Sequence, residues 1–165
     1  MKKALKLKWI FFLLLAFAIN SCGSHSNALS QYSYTVYNQS ENTIYFSEGF
    51  GARYDGMNMY PDTSLPANKP SLYIVRSRQS LPNSIGYEDW TTMFNDLPTD
   101  TLSIYFFSAA TLNNFSWKDI KTGYKILRRY DLSLNDIKKL NNKVYYPPTP
   151  EMQHMKMYPA YSDSL

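Results

Sequence analysis

Apolar and polar residues alternate with a period of two at residues 31–38 (QYSYTVYN) and 42–47 (NTIYFS), the pattern of half-buried strands rich in aromatic and β-branched side chains. Tyr32, Tyr34 and Val36 fall on one face of the first segment, and Ile44 and Phe46 on one face of the second. Gln39, Ser40 and Glu41 lie between them, so the spacing predicts a hairpin. The pattern then breaks over residues 48–70, where Gly49, Gly51, Gly56, Pro61, Pro66 and Pro70 predict a long loop holding one short strand at most. A third strand is expected at 71–76 (SLYIVR). Trp90, Met93 and Phe94 stand at i, i+3 and i+4, which predicts a short helix over 87–95. Glu88 and Asp89 are expected in its first turn, where the helix dipole favours acids.

Residues 102–108 (LSIYFFS) form a near-continuous apolar run and should be a central strand covered on both faces. Ser116 and Asp119 have the S-x-x-D spacing of a helix start, and Gly123 is expected to end that helix. Residues 124–130 (YKILRRY) return to strand. Ser133 and Asp136 repeat the start signal, leading a helix to Leu140 with Lys138 and Lys139 in its last turn. A last strand is expected at 143–146 (KVYY), ended by Pro147, Pro148 and Pro150, with an irregular tail over 151–165. Together these segments predict a mainly β, α+β domain over 31–150: a small antiparallel sheet or sandwich with two or three short helices.

The N-terminus follows a different rule. Residues 9–19 (WIFFLLLAFAI) are uncharged and apolar, and as a helix would reach about 17 Å, well short of a hydrocarbon core about 30 Å thick. Lys2, Lys3, Lys6 and Lys8 precede this run, which gives the segment the parts of an export signal. Ile19, Asn20, Ser21 and Cys22 then resemble a lipobox, in which an aliphatic, a variable and a small residue precede an obligatory cysteine. The resemblance implies a signal peptide over 1–21, a lipidated Cys22 and a tether over 22–30 (CGSHSNALS). One acyl chain binds a bilayer only weakly, at about 10⁴ M⁻¹, whereas the implied three chains would hold permanently. In many lipoproteins of the kind this segment resembles, an acidic cluster just after the cysteine accompanies display on the outer surface; none follows Cys22, so the resemblance implies an outer-membrane position facing the periplasm.

Charge is reinterpreted by that division. The full chain carries +4 and a pI near 9.0, yet four of its 17 basic residues and none of its 13 acidic ones lie in the signal. The remaining 13 basic residues are matched by 13 acidic ones, so the excess charge on which nucleic-acid binding depends is gone. Within the neutral remainder, residues 118–143 hold eight basic and three acidic residues. Arg128 and Arg129 are adjacent on an expected strand and point to opposite sides, which reads as a solvated face paired with Asp131 or Asp136, the alternative for this positive segment being a patch for an acidic partner or lipid head groups. Cys22 is the only cysteine, so no intramolecular disulfide forms.

Candidate chemistry is sparse. The two histidines, His25 and His154, lie in the tether and the tail, a poor basis for a preorganised triad. Met152, His154, Met155 and Met157 offer the soft donors that suit Cu(I), although methionines against aromatic surfaces are commonly core filler. Glu88–Asp89 and Asp96 with Asp100 are carboxylate pairs for which capping and turn roles suffice. No metal, cofactor or catalytic residue is indicated. Among fifteen tyrosines, Tyr54 and Tyr60, with Met57 and Met59, form a candidate contact surface in the Gly-rich loop.

Asn38 with Ser40, YPDT at 60–63, Trp90, Asp100-Thr101-Leu102, and the run from Ser116 through ILRRYDLS to YYPP together resemble a group of small Bacteroidetes lipoproteins. In the C-terminal pattern of that group a Trp often follows the Leu-Asn pair, where this chain has Asn142. The resemblance implies an envelope lipoprotein and brings no functional residues to transfer. The expected role is a non-enzymatic accessory protein contacting an envelope protein through an aromatic or basic face, the alternative being a glycan-binding module that uses the loop aromatics. Globomycin, or Cys22→Ala, is expected to leave the precursor unprocessed. An unchanged mature mass in either experiment rules the lipobox out.

Overall fold

The structure is a computed structural model that describes residues 33–49, 64–84, 89–97 and 99–164. Strand β1 (Ser33–Asn38) buries every second residue, Tyr34, Val36 and Asn38, and β2 (Ile44–Glu48) buries Ile44 and Phe46. Both apolar faces enter one core, but the two strands do not form the expected hairpin. β1 lies in a three-stranded sheet between β4 (Ser80–Ser84) and β7 (Lys143–Tyr146). β2 lies in a five-stranded sheet, between β3 (Tyr73–Val75) and β5 (Thr101–Ser108), continued by β6 (Arg128–Ser133) and β8 (Lys156–Tyr158). All pairings are antiparallel except β1 with β7. The fold is thus mainly β within an α+β arrangement, as the alternation predicted.

The connection after β1 turns from one sheet into the other, and the connection from β3 to β4 turns beside it. Register shows this directly: Tyr37 faces Ser80 in one sheet, and Ile44 faces Val75 in the other. Asn38 sits between them, 2% exposed. Its amide nitrogen donates to the carbonyls of Asn42 (2.7 Å), Val75 (3.1 Å) and Arg76 (3.1 Å). Its side-chain oxygen accepts from the Ser40 amide (3.0 Å) and hydroxyl (2.7 Å), and its backbone N–H donates to Gln79 O at 2.9 Å. A hairpin would have placed both apolar faces on one side of one sheet. The corner makes them oppose each other, as in sandwiches whose strands switch sheets.

The core between the sheets gathers Tyr34, Val36, Phe46, Ile104, Phe106 and Tyr130, among others. Phe106 is its hub, with ring centroids 5.1 Å from Tyr130, 5.2 Å from Tyr146 and 6.1 Å from Phe46. Helix α1 (Trp90–Asp96) adds Trp90, Met93 and Phe94, the residues its spacing selected. Asp89 is its N-cap, not a first-turn residue, and accepts from Thr92 N at 2.7 Å. The hydroxyl and amide of Thr92 hold that carboxyl below its usual pKa. Two connected helices, α2 (Ala109–Asn114) and α3 (Trp117–Thr122), join the residues around Leu65 and Leu72 in covering the other face of the large sheet. That second cover explains why β5 is buried at six consecutive positions, Leu102 through Phe107.

The described residues hold four α-helices where two or three were expected. The additional one, α2, has no buried residue and so no apolar period to betray it, and it is started by the Ser108 hydroxyl accepting from Thr111 N at 2.9 Å. Helix α4 (Leu134–Lys139) has the capping box that Ser133 and Asp136 foretold. Strand β4 went unread because Pro82 interrupts it; at the edge of its sheet the missing N–H costs little. β6 begins at Arg128, not residue 124, because residues 123–125 close α3 in a Schellman motif. Lys125 N donates to Ile120 O (2.9 Å) and Tyr124 N to Lys121 O (3.3 Å). The left-handed residue there is Tyr124, at φ 48°, and not Gly123. The tail expected to be irregular carries β8, and it buries Met152 and Met155 in the core.

Asn38→Ala removes the donor shared by three backbone carbonyls, and should lower unfolding free energy in urea by about 2–4 kcal/mol. Asn38→Asp keeps the size but loses the donors, and should lose at least as much near neutral pH. A loss below about 1 kcal/mol in both variants contradicts the role assigned to the corner.

Candidate functional site

Alternation along β6 sends Tyr130 and Leu132 into the main core and Arg129 and Asp131 to the opposite face. The expected solvated basic face is not there: Arg129 is 8% exposed, Asp131 1% and Arg128 7%. The reason is the tail. β8 pairs along the edge of β6 that the sequence left open, setting Lys156 opposite Asp131 and Tyr158 opposite Arg129. Arg129 Nε lies 2.9 and 3.1 Å from the two oxygens of Asp131. Ser103, opposite Asp131 on β5, donates to the same carboxylate at 2.8 Å, and Lys156 Nζ stands at 3.8 Å. Arg129 also donates to the phenol of Tyr124, whose ring packs edge-on against Tyr158 at 5.4 Å.

This network explains two backbone oddities. Tyr124 holds a left-handed conformation that costs a bulky residue roughly 1–3 kcal/mol, and the guanidinium at its hydroxyl helps to hold it there. Gly49, just after β2, lies tight against Ser103 of β5: its N–H donates to Ser103 O at 2.6 Å, and a Cβ would stand 2.9 Å from Ser103 Cβ. Burial opposes the Arg129 charge, but the hydrogen bond and charge of Asp131 outweigh it and raise the pKa. Burial raises the Tyr124 phenol, although Arg129 pulls the other way. Both groups keep their ordinary charge states at neutral pH. Asp131 accepts from Ser103 and Arg129 and stands near Lys156, the arrangement of a buried structural ion pair.

Arg128 points to the other side. Its guanidinium donates to Pro159 O at 2.7 Å and contacts Met157 Sδ at 3.3 Å. Arg128 thus holds the C-terminal segment directly on one face of β6, while on the other Arg129 orients Asp131 and Tyr124, which meet Lys156 and Tyr158. The Met-His cluster is taken apart by the same fold. Met152 and Met155 are core residues, Met157 lies beside Arg128, and exposed His154 meets the Gln153 amide at 3.0 Å. Asp89 is committed to its cap, Asp100 is exposed at the start of β5, and Glu88 lies outside the described residues. Among the described residues no group of three His, Cys, Asp or Glu is placed to hold a metal. Cys22, its lipobox residues Ile19, Asn20 and Ser21, and the contact candidates Tyr54, Met57, Met59 and Tyr60 all lie outside the described residues.

What alternation could not reveal is the large sheet's free edge. Tyr73 (39% exposed) and Ile74 (53%) lie on β3, which among the described residues has no strand beyond it. Tyr73 stacks on Phe46 with centroids 5.0 Å apart, so the core holds the ring while one side remains open. No known protein family, curated protein or solved structure matches the chain.

Removing one member of a buried ion pair strands the other. Arg129→Met alone is expected to cost about 3–5 kcal/mol in urea unfolding, whereas Arg129→Met with Asp131→Leu should recover most of it. If the double variant is no better than the single one, the cost is not that of a stranded charge.

Proposed function

We propose that the protein is a non-enzymatic lipoprotein, anchored through Cys22 in the outer membrane and facing the periplasm, that serves as an accessory or interaction module for an envelope protein. The observation that carries the interaction is the β3 edge. Tyr73 and Ile74 stand exposed and adjacent on a strand whose outer side is unpaired among the described residues. Free sheet edges accept an added strand from a partner, with backbone hydrogen bonds for affinity and side-chain contacts for selectivity. Natural edges are commonly blunted by charge or proline, and β3 (Tyr-Ile-Val) carries neither. Arg128 and Arg129, the candidates for a basic face, are buried and support no contact surface. The anchor reading rests on the N-terminal pattern of basic residues, apolar run and Ile19–Cys22 spacing.

Capture from detergent-solubilised envelope with the lipidated protein is the direct test. The expected outcome is a retained partner that is lost with Ile74→Lys, while unfolding free energy changes by less than about 0.5 kcal/mol, as for ordinary surface substitutions. Retention of the same partner by Ile74→Lys and by Tyr73→Lys removes β3 from the contact.

A further inference from the structure

Of the eight basic residues in 118–143, two are the buried arginines; the other six are lysines, and the fold separates them into two groups. Lys118, Lys121 and Lys125 lie on and after α3, before β6 begins. Lys138 and Lys139 lie in the last turn of α4, and Lys143 opens β7, both after β6 ends. The groups therefore stand at opposite ends of a six-residue strand, about 20 Å apart along it. All six are exposed, and none forms an ion pair among the described residues. The acids of the second group's own segment are occupied: Asp131 in the buried network, and Asp136 in the capping box of α4.

The second group stands where the chain enters the domain. Thr35 pairs with Lys143 in the parallel ladder, and Thr35 N donates to Asn142 O at 2.8 Å. The turn that presents these lysines is held by Asn141 and Asn142, both left-handed at φ 51° and 59°, a conformation Asn tolerates better than most residues. Ser33, the first described residue, lies two positions from that contact, and only ten residues lie between it and Cys22. Fully extended, such a segment reaches about 40 Å at most. A lipid on Cys22 would keep this end of the domain within that distance of the bilayer.

We propose that Lys138, Lys139 and Lys143 form a seat for anionic phospholipid headgroups, docking the end of the domain that holds Ser33 onto the membrane surface. The inference rests on the anchor reading for its geometry. The occupant follows from charge complementarity and from the short reach to Cys22. Helix-dipole compensation accounts for Lys138 and Lys139 but not for Lys143, which lies beyond the helix. Lysines near an anionic surface gain on the order of fivefold each in binding, and a tether that short spends none of its reach opposing the contact.

The test reconstitutes the purified protein with vesicles of phosphatidylcholine alone or with about one-third phosphatidylglycerol. Lysine acetylation is then read by mass spectrometry. With anionic vesicles, labelling of Lys138, Lys139 and Lys143 is expected to slow on the order of fivefold, while Lys118, Lys121 and Lys125 on the far end serve as internal controls. The protection should vanish in neutral vesicles and in about 1 M salt, where the screening length falls to about 3 Å. Equal labelling of the two groups in anionic vesicles overturns the seat, and so does protection that persists without anionic lipid. Intact mass of the same sample reports lipidation separately. If Cys22 carries no lipid, the anchor reading fails, and the same labelling contrast on the unanchored protein still decides the seat. Lys138→Gln with Lys139→Gln and Lys143→Gln should abolish the vesicle dependence while leaving urea unfolding close to wild type.

Discussion

Asn38 holds a corner that two chain segments turn side by side, and the two-layer core depends on it. Without the turn, Tyr34, Val36, Ile44 and Phe46 would share one side of a single sheet, with no second sheet to cover them. With it, the three-stranded and five-stranded sheets face each other, and α1 and α4 close the space between them. A corner leaves backbone carbonyls inside the protein with no ladder partner. One amide side chain, buried and with its donors and acceptor all engaged, answers that need at Val75 and Arg76 while fixing the local turn through Ser40.

The second organising choice is burial of charge on β6. A hydrophobic pair at Arg129 and Asp131 would be no worse for stability, because desolvation consumes most of what a buried ion pair gains. Direction is what the ionic version adds. Asp131 faces Ser103 on one neighbouring strand and Lys156 on the other, so a slip of β8 would separate the lysine from its carboxylate. β8 is only three residues long and ends against Pro159. A strand that short has little ladder of its own to set register; Arg128 adds a bond to Pro159 O on one face, and Asp131, held by Arg129, meets Lys156 on the other.

Local signals were readable where chemistry and position coincide. Ser116 and Ser133 announced their caps, and the unbroken run at 102–108 announced a strand covered on both faces, because those arrangements depend on residues within one turn or one strand. The hairpin at Gln39–Glu41 failed because alternation reports which side chains are buried, not which sheet buries them. The opposed faces of two sheets and the single face of one give the same pattern. Arg128 and Arg129 looked solvated because nothing in residues 151–165 reads as a strand; only the long-range pairing of Lys156 with Asp131 covers them. The Met-His cluster likewise dissolved once its methionines were claimed by the core. The exposed β3 edge was invisible for the complementary reason, since Tyr-Ile-Val predicts burial wherever it occurs.

The place of β1 has a mechanical consequence. It is the middle strand of its sheet, bonded to β4 on one side and β7 on the other. Any tension on the chain ahead of Ser33 acts along that strand, across hydrogen bonds that lie at right angles to the pull on the β4 side and slanted to it on the β7 side. Bonds loaded that way share the force and yield together, whereas an edge strand pulled from its end would unzip one bond at a time. At its far end β1 passes the remaining load through Asn38 into the corner and the large sheet. A domain hung by its N-terminus is thus suspended from a strand paired along both sides.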